Sequence, residues 1–305
     1  MSRHDVLRGL LPVCFLLMAL GACTEYDVDT RQDDSGTEVL TQEPLSFTTQ
    51  NYDFTGPASI QSVLDLIPTD DFVWHGFAPG SEYPVQGDCD FDRANDQVTS
   101  TVEDLPKTIE GIVTLHPRFF QKRTICNQDE RFYGTYFLQD SSGGVVVLKD
   151  SRVSDFTYGD RVRIRVKGLV HNAFGTDVPP FQAVLAHDSQ QIVSRANDIF
   201  YEEITRGFEI SDIGKVRRIK GVIKSAPTNS NFNEMEIVDP NDPTKTWLVS
   251  LDRELGQRSP ELCEGDPVTL TGPVMDNFGL RVIIASRGQI VFADQACQNK
   301  YGQAQ

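Results

Sequence analysis

The stretch Gly159-Asp160-Arg161-Val162-Arg163-Ile164, continuing to Gly168-Leu169-Val170-His171-Asn172-Ala173-Phe174-Gly175, decides the fold because the chain repeats it. The second copy is Gly265-Asp266-Pro267-Val268-Thr269-Leu270, continuing to Gly272-Pro273-Val274-Met275-Asp276-Asn277-Phe278-Gly279. In both, a turn launches an alternating strand, and a Phe-Gly turn ends it. In the first copy Val162, Ile164 and Val166 alternate with Arg161, Arg163, Arg165 and Lys167. Successive side chains on a strand point to opposite faces, so one face is apolar and the other carries four cations.

The repeat extends outward from this stretch. Val102-Glu103-Asp104-Leu105-Pro106-Lys107 matches Ile210-Ser211-Asp212-Ile213-Gly214-Lys215, and Ile109-Glu110-Gly111-Ile112-Val113 matches Ile219-Lys220-Gly221-Val222-Ile223. The offset drifts only slightly along the chain, as a tandem duplication does at its loops. Each unit reads as five strands. In the first they are Thr108–Leu115, Phe132–Gln139, Gly144–Leu148, Arg161–Leu169 and one within Phe181–Ser194. In the second they are Val216–Lys224, Asn233–Val238, Thr246–Leu251, Pro267–Val274 and Leu280–Ala285, with Ile290–Phe292 continuing the last. β-branched and aromatic residues dominate, and turn residues punctuate them. The fold class is all-β, with two tandem five-stranded barrels over residues 98–197 and 198–293.

The first unit resembles the OB-fold modules of secreted bacterial proteins, which often accompany nucleases and phosphatases. The residues that carry the resemblance are Ile109-x-Gly111-Ile112-Val113, Tyr136-Phe137-Leu138-Gln139-Asp140-Ser141-Ser142-Gly143-Gly144-Val145, Gly159-Asp160-x-Val162 and Gly168-x-Val170. The second unit departs from this pattern. There Met235-Glu236-Ile237-Val238-Asp239 replaces the aromatic segment, and Pro240-Asn241-Asp242-Pro243 replaces the Gly-Gly turn.

OB barrels bind through strands two and three and through the loops after strands one and four. In the first unit the loop after strand one reads His116-Pro117-Arg118-Phe119-Phe120-Gln121-Lys122-Arg123. Cations beside aromatics suit a single-stranded nucleic acid, because the cations meet phosphates while the rings stack on bases. Tyr133 and Phe137 on strand two, with His171 and Phe174 after strand four, are expected nearby. The candidate ligand residues are therefore Arg118, Phe119, Phe120, Lys122, Arg123, Tyr133, Phe137, His171 and Phe174. The matching loop of the second unit, Ser225–Asn231, is short and uncharged.

The N-terminus sets the expected compartment. Arg3 and Arg8 precede an apolar run from Gly9 to Leu20, which is the length of a signal-peptide core. It ends in Leu20-Gly21-Ala22-Cys23, which resembles the lipobox of bacterial lipoproteins. The resemblance implies removal of residues 1–22 and lipidation at Cys23. Thr24, in place of Asp, then implies the outer membrane. Removal takes away two basic residues (Arg3, Arg8) and one acidic residue (Asp5), and changes the formal charge from −16 to −17. Such a chain is repelled at long range by nucleic acid and by anionic membranes. Residues 23–58 are polar and acidic and are expected to form a disordered tether.

Residues 59–97 form an extension. Ile60, Val63, Leu64 and Ile67 mark one face of a short helix, with Ser59 as N-cap and Pro68 as stop. Gly87-Asp88-Cys89-Asp90-Phe91-Asp92-Arg93 has the alternating carboxylates of a calcium loop but lacks its Gly and its bidentate Glu, so no metal is expected. Cys89, Cys126, Cys263 and Cys297 remain in the mature part and suggest two disulfides. Three connectivities are possible; the sequential one would tie the extension to the first barrel and the C-terminal tail, residues 294–305, to the second.

No nucleophile elbow, zinc-protease helix or phosphate-binding Gly-rich loop is present in the sequence. No cofactor is expected. The reading is a non-enzymatic, lipid-anchored envelope protein that binds a protein or glycan partner. The alternative is a lipoprotein that binds single-stranded nucleic acid through its first barrel.

Overall fold

The repeated Gly-Asp turn is built the same way in both copies. Gly159 and Gly265 adopt φ of 77° and 87°, a left-handed conformation that glycine enters without a Cβ clash. The Gly159 amide donates to the Val113 carbonyl at 2.9 Å, and the Gly265 amide donates to that of Ile223 at 2.8 Å. The return bonds run from the Val113 amide to the Asp160 carbonyl (2.9 Å) and from the Ile223 amide to the Asp266 carbonyl (3.0 Å). Each turn thus pins the fourth strand of its unit onto the first.

The structure, a computed structural model, describes residues 45–66, 72–74, 104–115, 122–126, 129–149, 157–173, 182–226, 234–251, 262–276 and 279–292. Its strands are β1 (Phe47–Thr48), β2 (Phe72–Trp74), β3 (Lys107–Leu115), β4 (Lys122–Cys126), β5 (Asp129–Gln139), β6 (Gly144–Lys149), β7 (Arg161–Ala173) and β8 (Gln182–Ser194). They continue as β9 (Ile199–Phe200), β10 (Glu202–Glu203), β11 (Val216–Ser225), β12 (Glu234–Asp239), β13 (Asp242–Leu251), β14 (Pro267–Asp276), β15 (Leu280–Ile284) and β16 (Ile290–Phe292). One short helix, α1 (Ile60–Leu64), precedes the first sheet, and the Ser59 side chain accepts the Ser62 amide as its N-cap.

Five strands of the first unit form a closed barrel. β3 pairs with β5, β5 with β6, β6 with β8, β8 with β7, and β7 returns to β3. Only the β6–β8 pair is parallel. This is the connectivity of an OB fold. In the second unit β11, β12, β13, β15 and β14 follow the same cycle, with β13–β15 as the parallel pair.

Alternation fills both interiors. Val162, Ile164 and Val166 of β7 join Ile109, Val113, Tyr136, Leu138, Val145 and Val147 in one core, and Ile60 and Val63 of α1 pack on it. Trp247, Met235, Ile237, Leu270 and Val282 anchor the other core. The buried Trp247 indole N–H finds its partner in the Arg206 carbonyl at 2.8 Å.

Two expectations are corrected. Residues 45–58, expected within the tether, are ordered: β1 pairs in parallel with β9, and Phe47, Tyr52 and Phe54 pack against Ile112, Tyr158, Ile199 and Val216. The aromatic residues supply the apolar area that the acidic composition upstream lacks. Lys122 and Arg123, expected at the end of the loop after strand one, open a strand, β4. Ile290–Phe292 continues the fifth strand as expected, because β15 and β16 both pair antiparallel with β14 and run in the same direction along it, with the turn Arg287–Gln289 between them. Residues 1–44 and 294–305 lie outside the described residues.

Candidate functional site

The strand missed by sequence pattern organises the candidate site. β4 pairs antiparallel with the first half of β5, in the register Lys122↔Tyr133, Arg123↔Phe132, Thr124↔Arg131, Ile125↔Glu130 and Cys126↔Asp129. Thr124, Ile125, Phe132 and Tyr133 supply β-branched and aromatic residues suited to such a pair. Beyond this hairpin β5 continues into the barrel, where Phe137 meets Leu115 of β3 and Val146 of β6. The hairpin is therefore an extension of the barrel's second strand. The register puts Lys122, Tyr133 and Arg131 on one face of the hairpin and Arg123 with Phe132 on the other. Lys122-Arg123-Thr124-Ile125 shows no polar–apolar alternation, so the sequence pattern did not separate strand from loop here.

Strand directions separate the other candidates. β3 and β7 are antiparallel, with Lys107 opposite Val166 and Ile112 opposite Arg161. β7 then runs on past Lys107, so that His171 pairs with Ala183 of β8 and Phe72 of β2. The β4–β5 hairpin extends past the other end of β3, beyond Leu115. His171 and the hairpin thus extend β7 and β5 past opposite ends of β3. Arg118, Phe119, Phe120 and Phe174 lie outside the described residues.

Phe137 is 0% exposed, as are its register partners Leu115 and Val146. Neighbouring Tyr136 and Leu138 belong to the barrel core. Strand two is buried on both faces here, so Phe137 packs and presents no ring to a ligand.

Two of the cations on β7, Arg161 and Arg163, share a structural partner. Glu110 of β3 is buried and lies opposite Arg163. Its carboxylate accepts from Arg161 Nε at 2.8 Å and Arg163 Nε at 2.7 Å. The Arg161 guanidinium also lies 3.7 Å from the centroid of the Phe54 ring. Burial by itself would raise the Glu110 pKa, but the hydrogen bonds and charges of Arg163 and Arg161 outweigh it and hold the carboxyl below its ordinary value. Pairing strands one and four antiparallel on paper would have found Glu110 opposite these arginines. In the second unit Lys220 stands at this place opposite Thr269, and its ammonium meets Glu203 of β10 at 2.9 Å. The charge difference between the two copies at this place therefore belongs to packing.

Among the described residues, no group of three or more His, Cys, Asp or Glu is placed to hold a metal ion. Cys263 is disulfide-bonded. Cys126 ends β4. Cys23, Cys89 and Cys297 lie outside the described residues.

No family model and no curated protein matches the chain. Among solved structures, it is similar at 13% identity to a replication protein A heterotrimer bound to ssDNA, with a TM-score of 0.30 over 65% of this chain and 52% of that one. The chain thus spans about half of that structure's length. It is similar at 13% identity to a deletion mutant of the single-stranded DNA binding protein from Thermus aquaticus, with a TM-score of 0.23 over 61% of this chain and 93% of that one. A murine DNA binding protein bound with ds DNA is 14% identical, with a TM-score of 0.28 over 62% and 97%. At these scores the likeness says nothing of what this chain binds. The strand pairings by themselves make it a nearly all-β chain with a closed five-strand barrel of OB connectivity.

Proposed function

We propose that this chain is a lipid-anchored, non-enzymatic envelope protein whose first barrel binds single-stranded nucleic acid along the β4–β5 hairpin. The register of that hairpin carries the reading. Lys122 stands opposite Tyr133, Arg123 opposite Phe132, and Arg131 opposite Thr124. Cations that meet phosphates thereby sit beside rings that stack on bases. Arg118, Phe119 and Phe120 precede the hairpin in sequence with the same composition. The net charge of −16 opposes a polyanion at long range, so binding is local and strongest at low salt.

The anchor rests on Leu20-Gly21-Ala22-Cys23 after the apolar run, and Thr24 favours the outer membrane, facing the periplasm or the cell surface. Metabolic labelling with palmitate should mark the protein, and Cys23→Ser should abolish the label. Unchanged labelling in that variant would rule Cys23 out.

The acidic charge favours a second reading, a protein or glycan partner at the envelope. Fluorescence anisotropy with a labelled single-stranded oligonucleotide separates the two. Saturable binding at low salt, weakened by Lys122→Ala with Arg123→Ala, supports the first. Absence of binding, or binding indifferent to that variant, leaves the second.

A further inference from the structure

The ordered segment before the first barrel does more than lead into it. Its residues hydrogen-bond to the first barrel and to the chain between the units, and pack against the second barrel. The Ile199 amide donates to the Ser46 carbonyl at 2.8 Å, and the Tyr201 amide donates to that of Thr48 at 3.0 Å. The Phe200 amide donates to the Tyr52 hydroxyl at 2.9 Å. On the first barrel, the Ser141 amide donates to the Phe54 carbonyl (3.3 Å) and the Ala58 amide to that of Thr108 (2.9 Å). Leu45 packs toward the second barrel, where a Cβ on Gly288 would lie 3.2 Å from its Cγ.

The surface these residues cover is apolar and shared. Ile112 of the first barrel, Tyr158 before β7, Ile199 of the linker and Val216 of the second barrel form one buried cluster, with Leu45, Phe47, Tyr52, Phe54 and Tyr201 packed against it. The barrels also touch directly. Gln139, at the end of β5, accepts the Val216 amide at 2.7 Å and donates to the Phe200 carbonyl at 3.3 Å. Its neighbour across the turn, Gly144, meets Gly214 backbone to backbone.

We infer that residues 45–58 act as a strap that locks the two units into one fixed arrangement. The linker alone cannot do this: β9 and β10 have two residues each, and β9 has only β1 as its sheet partner among the described residues. With the strap in place the Ile112–Tyr158–Ile199–Val216 cluster is sealed. With the strap displaced, that cluster loses the aromatic side that closes it, and the units move independently. Any event that draws the N-terminal chain away from the fold would act first on this junction.

The test uses the full chain with Tyr52→Ala and Phe54→Ala together. The wild type should unfold in one cooperative transition. The variant should unfold in two, with a larger radius of gyration by X-ray scattering and native strand content by circular dichroism. A single transition with unchanged dimensions would overturn the inference. If the double variant does not fold, Tyr52→Phe decides, because the ring stays while the hydroxyl that accepts the Phe200 amide is lost. Hydrogen exchange at Phe200 and its neighbours Ile199 and Tyr201 should then quicken about tenfold, the factor for one lost hydrogen bond. Exchange at core amides such as Ile164 and Val249 should not change. Unchanged exchange at 199–201, or an equal rise throughout, contradicts the strap.

Discussion

Gly144 and Gly214 approach each other so closely that a Cβ on Gly144 would lie 2.0 Å from the Gly214 carbonyl oxygen. Gly144 belongs to the turn between β5 and β6, and Gly214 leads into β11. The contact accounts for a difference between the two copies. The first unit needs the Gly-Gly turn because another unit docks on it. The matching turn of the second unit, Asp239-Pro240-Asn241-Asp242, instead holds the Asn241 amide on the Asp239 carboxylate at 2.9 Å. Gly144→Ala should lower stability by about 3 kcal/mol, or roughly 6–12 °C in Tm, since backbone on both sides must move. Gly143→Ala, whose Cβ would meet only Gln61 Oε1 at 3.4 Å, should be tolerated. Calorimetry of the two variants checks the pair.

Asp212 is buried and holds the start of the second unit together. It accepts from Arg206 Nη1 at 2.6 Å, Arg217 Nε at 2.7 Å and the Glu209 amide at 2.8 Å. Burial alone would raise its pKa, yet the hydrogen bonds of Arg206, the Glu209 amide and Arg217 outweigh this and bring it down to about 2. A carboxyl lowered in the folded state adds stability that is full above its unfolded value of 3.8 and is lost as pH falls through about 2. Acid titration followed by circular dichroism should show stability declining across that window. Asp212→Ala should reduce the decline and cost about 3–5 kcal/mol at neutral pH, because Arg206 and the buried Arg217 lose the carboxylate they share.

Glu110 and Arg163 separate folding from binding. Glu110→Ala should destabilise the first barrel by about 2 kcal/mol, measured by urea denaturation, since Arg163 and the Arg161 that lies against Phe54 both lose its carboxylate. Arg163→Ala should weaken the fold and leave oligonucleotide affinity unchanged. A large affinity loss in Arg163→Ala would return the β7 cations to the binding surface.

Two aromatics on one strand should part in the same way. Phe137→Ala should cost about 3–5 kcal/mol of stability, because Phe137, Leu115 and Val146 are fully buried together. Tyr133→Ala should reduce oligonucleotide affinity about tenfold, within the range for one lost base stack. Equilibrium unfolding and anisotropy on both variants would show the crossing of effects.

The barrels were legible in the sequence because a strand with one buried face must alternate. The alternation of Val162, Ile164 and Val166 predicts the interior that β7 lines, and the duplicated Gly-Asp turn predicts where each fourth strand begins. The ordering of residues 45–58 was not legible, since Phe47, Tyr52 and Phe54 are spaced without period and bury themselves against residues far along the chain. The candidate site was half legible. Its residue types stood out, but Lys122 and Tyr133 become neighbours only through strand pairing. The outer burial of Phe137 depends on tertiary cover that no local pattern encodes.

Salt dependence of oligonucleotide binding tests the central claim most directly. If Lys122, Arg123 and Arg131 each neutralise a phosphate, log K should fall with log salt with a slope of about −2, at roughly −0.7 per phosphate on a single strand. Lys122→Ala with Arg123→Ala should bring the slope to about −0.7. A slope near zero, a slope unchanged by that variant, or no binding at the lowest salt would contradict a nucleic-acid interface on the β4–β5 hairpin.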